Sequence, residues 1–191
     1  MWIRNRDYHT AATWYQKAAE QGHRAAQVAL GKLYYSGQGL EKNFSTSAQW
    51  YQLAAEEGDD EAQTLLGKLY YAGEGVVKND PIAASWFRKA AEQGHPEAQA
   101  ALGMLYCAGE GVAQNHSSAQ SWYRKAAEQG HRTAHLWLGN LFYNDDGLSI
   151  DQASAASWLF RELGQTPEEG HVALGQLYCQ GAGVVKDYSQ A

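Results

Sequence analysis

Few residues in this chain of 191 have types suited to chemistry, and their spacing argues against most of it. Three of its seven histidines, His23, His95 and His131, share one position in a recurring pattern, just after a glycine, where a helix would begin. His131 and His135 lie four residues apart, and His171 takes the slot of His135 one period later. Zinc needs three or four ligands within about 2 Å of one point, and helix starts account for these histidines better than ligand geometry does. The segment Asn144-Asp145-Asp146-Gly147 lacks the spacing and the closing Glu of a calcium loop and reads as a turn. Neither a metal nor a cofactor is expected. Cys107 and Cys179 occupy equivalent positions two periods apart. Stacked helix pairs advance by about 10 Å, which carries the two beyond the separation of about 7 Å that a disulfide tolerates. No serine stands in a nucleophile elbow, no phosphate loop is present, and the carboxylates of the Ala-Glu-Gln-Gly segments fall at helix ends. The expectation is a protein without catalysis.

Any site must be positioned by a repeat. Tryptophan recurs as Trp14, Trp50, Trp86, Trp122 and Trp158, and a Leu-Gly pair as Leu30-Gly31, Leu66-Gly67, Leu102-Gly103, Leu138-Gly139 and Leu174-Gly175, always in steps of 36 residues. A fixed period of this size marks a solenoid. Between Asp7 and Glu20 the apolar positions Ala11, Trp14, Tyr15, Ala18 and Ala19 fall on one helical face. Asp7 reads as its N-cap and Gly22 as its left-handed stop. From Arg24 to Ser36, Ala26, Ala29, Leu30, Leu33 and Tyr34 form a second such face, which ends in Gly37-Gln38-Gly39. The first segment is termed helix B and the second helix A; together they make an antiparallel αα-hairpin. Asn43, Asn79, Asn115, Asp151 and Asp187 repeat the cap, and Gly58, Gly94 and Gly130 repeat the stop.

The fold class expected is all-α, an αα-hairpin solenoid with 36-residue repeats, forming one domain over residues 1–191 with about five repeats. Both ends read as partial repeats, as in a fragment of a longer array. The zone 144–170 is irregular: Asp145 replaces a turn glycine, and Thr166-Pro167 replaces a helix stop. The net charge of -6 gives no footprint for a phosphate backbone, so nucleic acid is not an expected partner. The first residues lack the apolar core of a signal peptide and no apolar run spans a membrane, so the chain reads as soluble, with its compartment open.

Glycine within a helix costs about 1 kcal/mol against alanine, yet Gly31, Gly67 and Gly103 stand mid-helix. The reading is close approach: each missing Cβ leaves room for an aromatic ring, Trp or Tyr, of a neighbouring B helix. The order Ala-x3-Leu-Gly-x2-Tyr-x2-Gly-x-Gly-Val, a capping Asp or Asn, then Trp-Tyr/Phe-x2-Ala-Ala-Glu-x-Gly, resembles the Sel-1-like repeat family, a branch of the tetratricopeptide-like superfamily. The resemblance covers nearly all of residues 7–191. It implies a right-handed superhelix whose concave face is lined by A helices, acting as a scaffold or adaptor for a protein or peptide partner. Cysteine-rich relatives are associated with penicillin binding and weak β-lactamase activity, but their within-repeat cysteine pairs are absent here.

On that concave face the variable positions are Val28, Thr64, Ala100, Leu136 and Val172; Lys32, Lys68, Met104, Asn140 and Gln176; and Tyr35, Tyr71, Cys107, Tyr143 and Cys179. They describe an aromatic and apolar strip edged by two lysines, suited to an extended or helical peptide with acidic groups. Tyr35 and Tyr71 can equally be space-fillers between adjacent A helices. An alternative class is a bacterial cell-envelope ligand, peptidoglycan or another glycan, stacked on exposed Trp and Tyr. Uncapped repeat ends also allow end-to-end self-association.

Overall fold

The computed structural model describes residues 2–143. Among them are eight α-helices: α1 Trp2–Ala19, α2 Arg24–Ser36, α3 Phe44–Glu56, α4 Asp60–Ala72, α5 Asp80–Glu92, α6 Pro96–Ala108, α7 His116–Glu128 and α8 Arg132–Tyr143. Odd numbers are B helices and even numbers A helices. The irregular zone at 144–170 and the final repeat lie outside the described residues. The described residues form two compact units, one of residues 2–98 with 110–113, the other of 99–109 with 114–143.

Each stop from B to A is built alike. Gly22, Gly58, Gly94 and Gly130 have φ between 81 and 98°, and the next residue donates its amide five residues back: His23 to Ala18 at 3.1 Å, Asp59 to Ala54 at 3.1 Å, His95 to Ala90 at 3.1 Å and His131 to Ala126 at 3.0 Å. This is the Schellman closure, which satisfies carbonyls that the helix end leaves over. The return from A to B closes through Asn43, Asn79 and Asn115, whose amides meet the carbonyls of Tyr34, Tyr70 and Tyr106 at 2.8–2.9 Å. Their side chains then cap the B helices, accepting from the amides of Thr46, Ile82 and Ser118 at 2.9–3.0 Å.

The cap expected at Asp7 is not one. α1 begins at Trp2, so Asp7 stands inside the helix, exposed. The two caps expected at Asp151 and Asp187 lie outside the described residues.

In unit 1 the core joins B and A helices of successive repeats: Val28, Ala48, Tyr51, Ala54, Ala55, Ala62, Leu66 and Leu69 form one buried cluster. A Cβ built on Gly67 would lie 2.8 Å from Phe87, and one on Gly31 would overlap the Tyr51 ring. In unit 2 the same relation holds between Gly103 and Tyr123, at 2.9 Å. The ring in the glycine hole is thus the residue after the tryptophan. The tryptophans themselves lie further out, Trp50, Trp86 and Trp122 half-buried and Trp14 66% exposed.

Candidate functional site

Unit 1 presents a ladder between successive A helices. Lys32 on α2 donates through Nζ to Glu61 on α4 at 2.6 Å, and Lys68 on α4 repeats the bond to Glu97 of α6 at 2.6 Å. One turn further along each helix, the Tyr35 hydroxyl donates to Glu74 at 2.9 Å and the Tyr71 hydroxyl to Glu110 at 2.8 Å. Both phenol pKa values are raised, first by the hydrogen bond to the carboxylate, then by burial and by its charge. Tyr35 is exposed and Tyr71 half-buried. Lys78 Nζ stands 5.4 Å from the Tyr71 ring centroid, and Lys42 Nζ 4.4 Å from that of Phe44.

The position of each expected site residue follows from this geometry. Lys32, Tyr35, Lys68 and Tyr71 come together on one surface, but the lysines are already paired with carboxylates and do not form a free cationic edge. Val28 is 4% exposed within the inter-repeat core, and Thr64 is 1% exposed with its hydroxyl turned back to the Asp60 carbonyl at 2.8 Å. These two are a correction to the expected strip: in unit 1 the A helix is buried on two sides, towards its own B helix and towards the next repeat, so Val28 and Thr64 have no solvent face. In unit 2, Met104, with Ala100, packs half-buried on the cluster of Ala119, Tyr123, Ala126, Ala127, Ala134 and Leu138. For Leu136, Asn140 and Tyr143 only the backbone within α8 is described, and Val172, Gln176 and Cys179 lie outside the described residues.

Sequence reasoning missed the glutamates of the ladder and a buried glutamine row. Gln63 donates to the Ala55 carbonyl at 3.1 Å and accepts from Gln93 at 2.8 Å; in unit 2 Gln129 donates to Gln99 at 2.8 Å. The signal was present, since Gln27, Gln63 and Gln99 recur at 36 residues, followed by His135 in the same slot, 5% exposed. The histidines at helix starts act on backbone: Nδ1 of His95 and of His131 accepts from the amides of Ala98 and Ala134 at 3.4 and 3.3 Å. Among the described residues, no three His, Cys, Asp or Glu side chains converge as metal ligands. The exposed tryptophan faces carry lysines, Lys89 at 4.0 Å from the Trp86 centroid and Lys125 at 4.2 Å from that of Trp122. A sugar stacking on those faces would have to displace the lysines. No helix among the described residues is long and apolar enough to cross a membrane.

The family model of the Sel1 repeat matches residues 4–23, 24–59, 60–95, 96–131, 133–161 and 169–191. A protective antigen of uropathogenic Escherichia coli strains, displaying an SLR fold, is 36% identical with a TM-score of 0.81; the match covers 93% of this chain but only 38% of that one. A Sel1 repeat protein from Oxalobacter formigenes is 32% identical, covering 98% of this chain and 80% of the other, with a TM-score of 0.77. Cysteine rich protein B of Helicobacter pylori is 26% identical over 68% of this chain and 93% of its own, with a TM-score of 0.55. No curated protein sequence matches the chain.

Proposed function

From the membership of this chain in the Sel1 repeat family, whose proteins are in general protein-interaction scaffolds, we propose that it is a non-catalytic scaffold that holds a peptide or protein partner on the face lined by its A helices. The observation that carries this reading is the ladder. Tyr35 is 41% exposed although its hydroxyl is fixed by Glu74 and its ring leans on Phe44 at 5.1 Å, so an exposed part of the aromatic surface is pre-organised. Rigid, partly exposed tyrosines are effective anchors because little side-chain entropy is left to lose on binding. Lys32 and Lys68 flank these rings, and each can exchange its intramolecular glutamate for an acidic group of a partner at little cost, since exposed pairs contribute little. We read residues 1–191 as one array, a reading supported by the six matches in series.

The test is site-specific photo-cross-linking of the whole chain. A photoreactive phenylalanine analogue at position 35 or 71 should give a discrete cross-linked partner, while the same analogue at position 53, on an exposed B-helix site, should not. The double variant Lys32→Glu, Lys68→Glu should weaken capture of that partner with an unaltered far-ultraviolet circular dichroism spectrum. Equal cross-linking from all three positions, or unchanged capture, would remove the A-helix face as the site.

A further inference from the structure

A recurring contact joins position 35 of α2, and its equivalents in α4 and α6, to the first residue of the following B helix. In unit 1 it is Tyr35 against Phe44, ring centroids 5.1 Å apart, and then Tyr71 beside Asp80, whose charge helps to raise the phenol pKa. In unit 2 the pair is Cys107 and His116, with Sγ 3.9 Å from Nδ1. Two rings serve packing at this place in the first hairpin, whereas here a nucleophile stands beside a base.

The surroundings suit a thiolate. Cys107 is half-buried. His116 opens α7 behind its Asn115 cap, which puts the sulfur near the positive end of a helix. Tyr123 is fully buried, packs in the cluster that Cys107 covers, and has a hydroxyl with no hydrogen-bond partner. Burial, and then the repulsion a phenolate would meet from Cys107, keep that hydroxyl protonated.

We infer that Cys107 is a reactive thiol, with His116 as its base, that hydroperoxides oxidise to the sulfenic acid. Nδ1 of His116 takes the thiol proton, and a sulfur lone pair attacks the terminal peroxide oxygen. The O–O bond breaks, and the departing oxygen takes the proton from the imidazolium and leaves as water or alcohol. Sulfur loses two electrons and the peroxide gains them. A low-molecular-weight thiol then attacks the sulfenic sulfur, expelling its oxygen as water and closing a mixed disulfide.

The whole chain carrying Cys179→Ser, treated with hydrogen peroxide at pH 7 and trapped with dimedone, isolates Cys107 for intact-mass kinetics. Its rate should exceed that of glutathione under the same conditions by about tenfold. It should fall by about tenfold in His116→Phe, which installs the residue that Phe44 provides at this place in the first hairpin, with an unchanged thermal midpoint. His116→Gln repeats the comparison with a polar side chain should the ring disturb α7. A rate equal to that of glutathione, or equal rates in the parent and both variants, would overturn the inference.

Discussion

The ring of Phe87 fills the space that a side chain at Gly67 would need, with Cε1 2.8 Å from the position of a Cβ. Phe87 is 2% exposed and fixed on the α5 backbone, so the ring cannot retreat without opening the inter-repeat core. Gly67→Ala should therefore destabilise by about 1–3 kcal/mol, despite the gain of about 1 kcal/mol in helix propensity. Urea denaturation checks this, and Gly67→Ala with Phe87→Leu should lose less than the sum of the two single changes. An unchanged urea midpoint for Gly67→Ala would refute the close-packing account.

The caps distinguish two residues of equal capping propensity. Asn79→Ala removes the acceptor for the Ile82 amide and should cost about 1 kcal/mol. Asp7→Ala, inside α1, should stay within about 0.5 kcal/mol. Thermal melts that rank the two in the opposite order would contradict the helix start at Trp2.

Ser47 is fully buried and donates to the Gly31 carbonyl at 2.8 Å. Ala83 and Ala119 stand at its place in the following repeats, so the pocket accepts a methyl group. Ser47→Ala should cost about 1–2 kcal/mol, since the hydroxyl serves both the Gly31 carbonyl and the Tyr51 phenol. A loss of several kcal/mol would show that the hydroxyl holds the α2–α3 crossing together.

Alkaline stability carries the sign of a raised pKa. Burial lifts the Tyr51 phenol from 10.0 to about 12, against a smaller opposing pull from Ser47. Its contribution is complete below pH 10 and is lost as pH rises towards 12, because the unfolded chain releases that proton first. Tyr51→Phe should flatten this decline, since Phe87 already occupies the equivalent hole. Equilibrium unfolding at pH 9, 10 and 11 measures it, and a decline equally steep in the variant would assign the effect elsewhere.

Lys68→Met copies the residue found one repeat later, Met104. The Lys68 and Glu97 side chains are 44% and 50% exposed, so solvent screening leaves the pair worth less than about 1 kcal/mol. The thermal midpoint should shift by only a few degrees in low salt and less in high salt. A larger, salt-insensitive shift would make the ladder structural.

The period, the hairpins and the glycine holes were legible because each rests on a local requirement repeated many times. The occupant of the hole was not. Trp50 and Tyr51 are neighbours on one helix, about 100° apart around its axis, and periodicity cannot say which of two adjacent rings points at a partner helix. Position 28 was misread for a related reason: a helical wheel separates one buried face from one exposed face, whereas α2 is covered on two sides, leaving Val28 inside. The glutamates of the ladder were visible as recurring residues, but the pairings of Lys32 with Glu61 and Tyr35 with Glu74 join side chains 29 and 39 residues apart. Those separations become contacts only once the rise of the repeat is known.

The rungs do not depend on which copy supplies their acceptor. Excision of residues 60–95, one matched repeat, would bring Lys32 opposite Glu97 and Tyr35 opposite Glu110, the same chemical partners at the same offsets. Recombination between copies can therefore lengthen or shorten such a chain by whole modules without any interface being reinvented. Slippage by any other number of residues would put every rung beyond the break out of register.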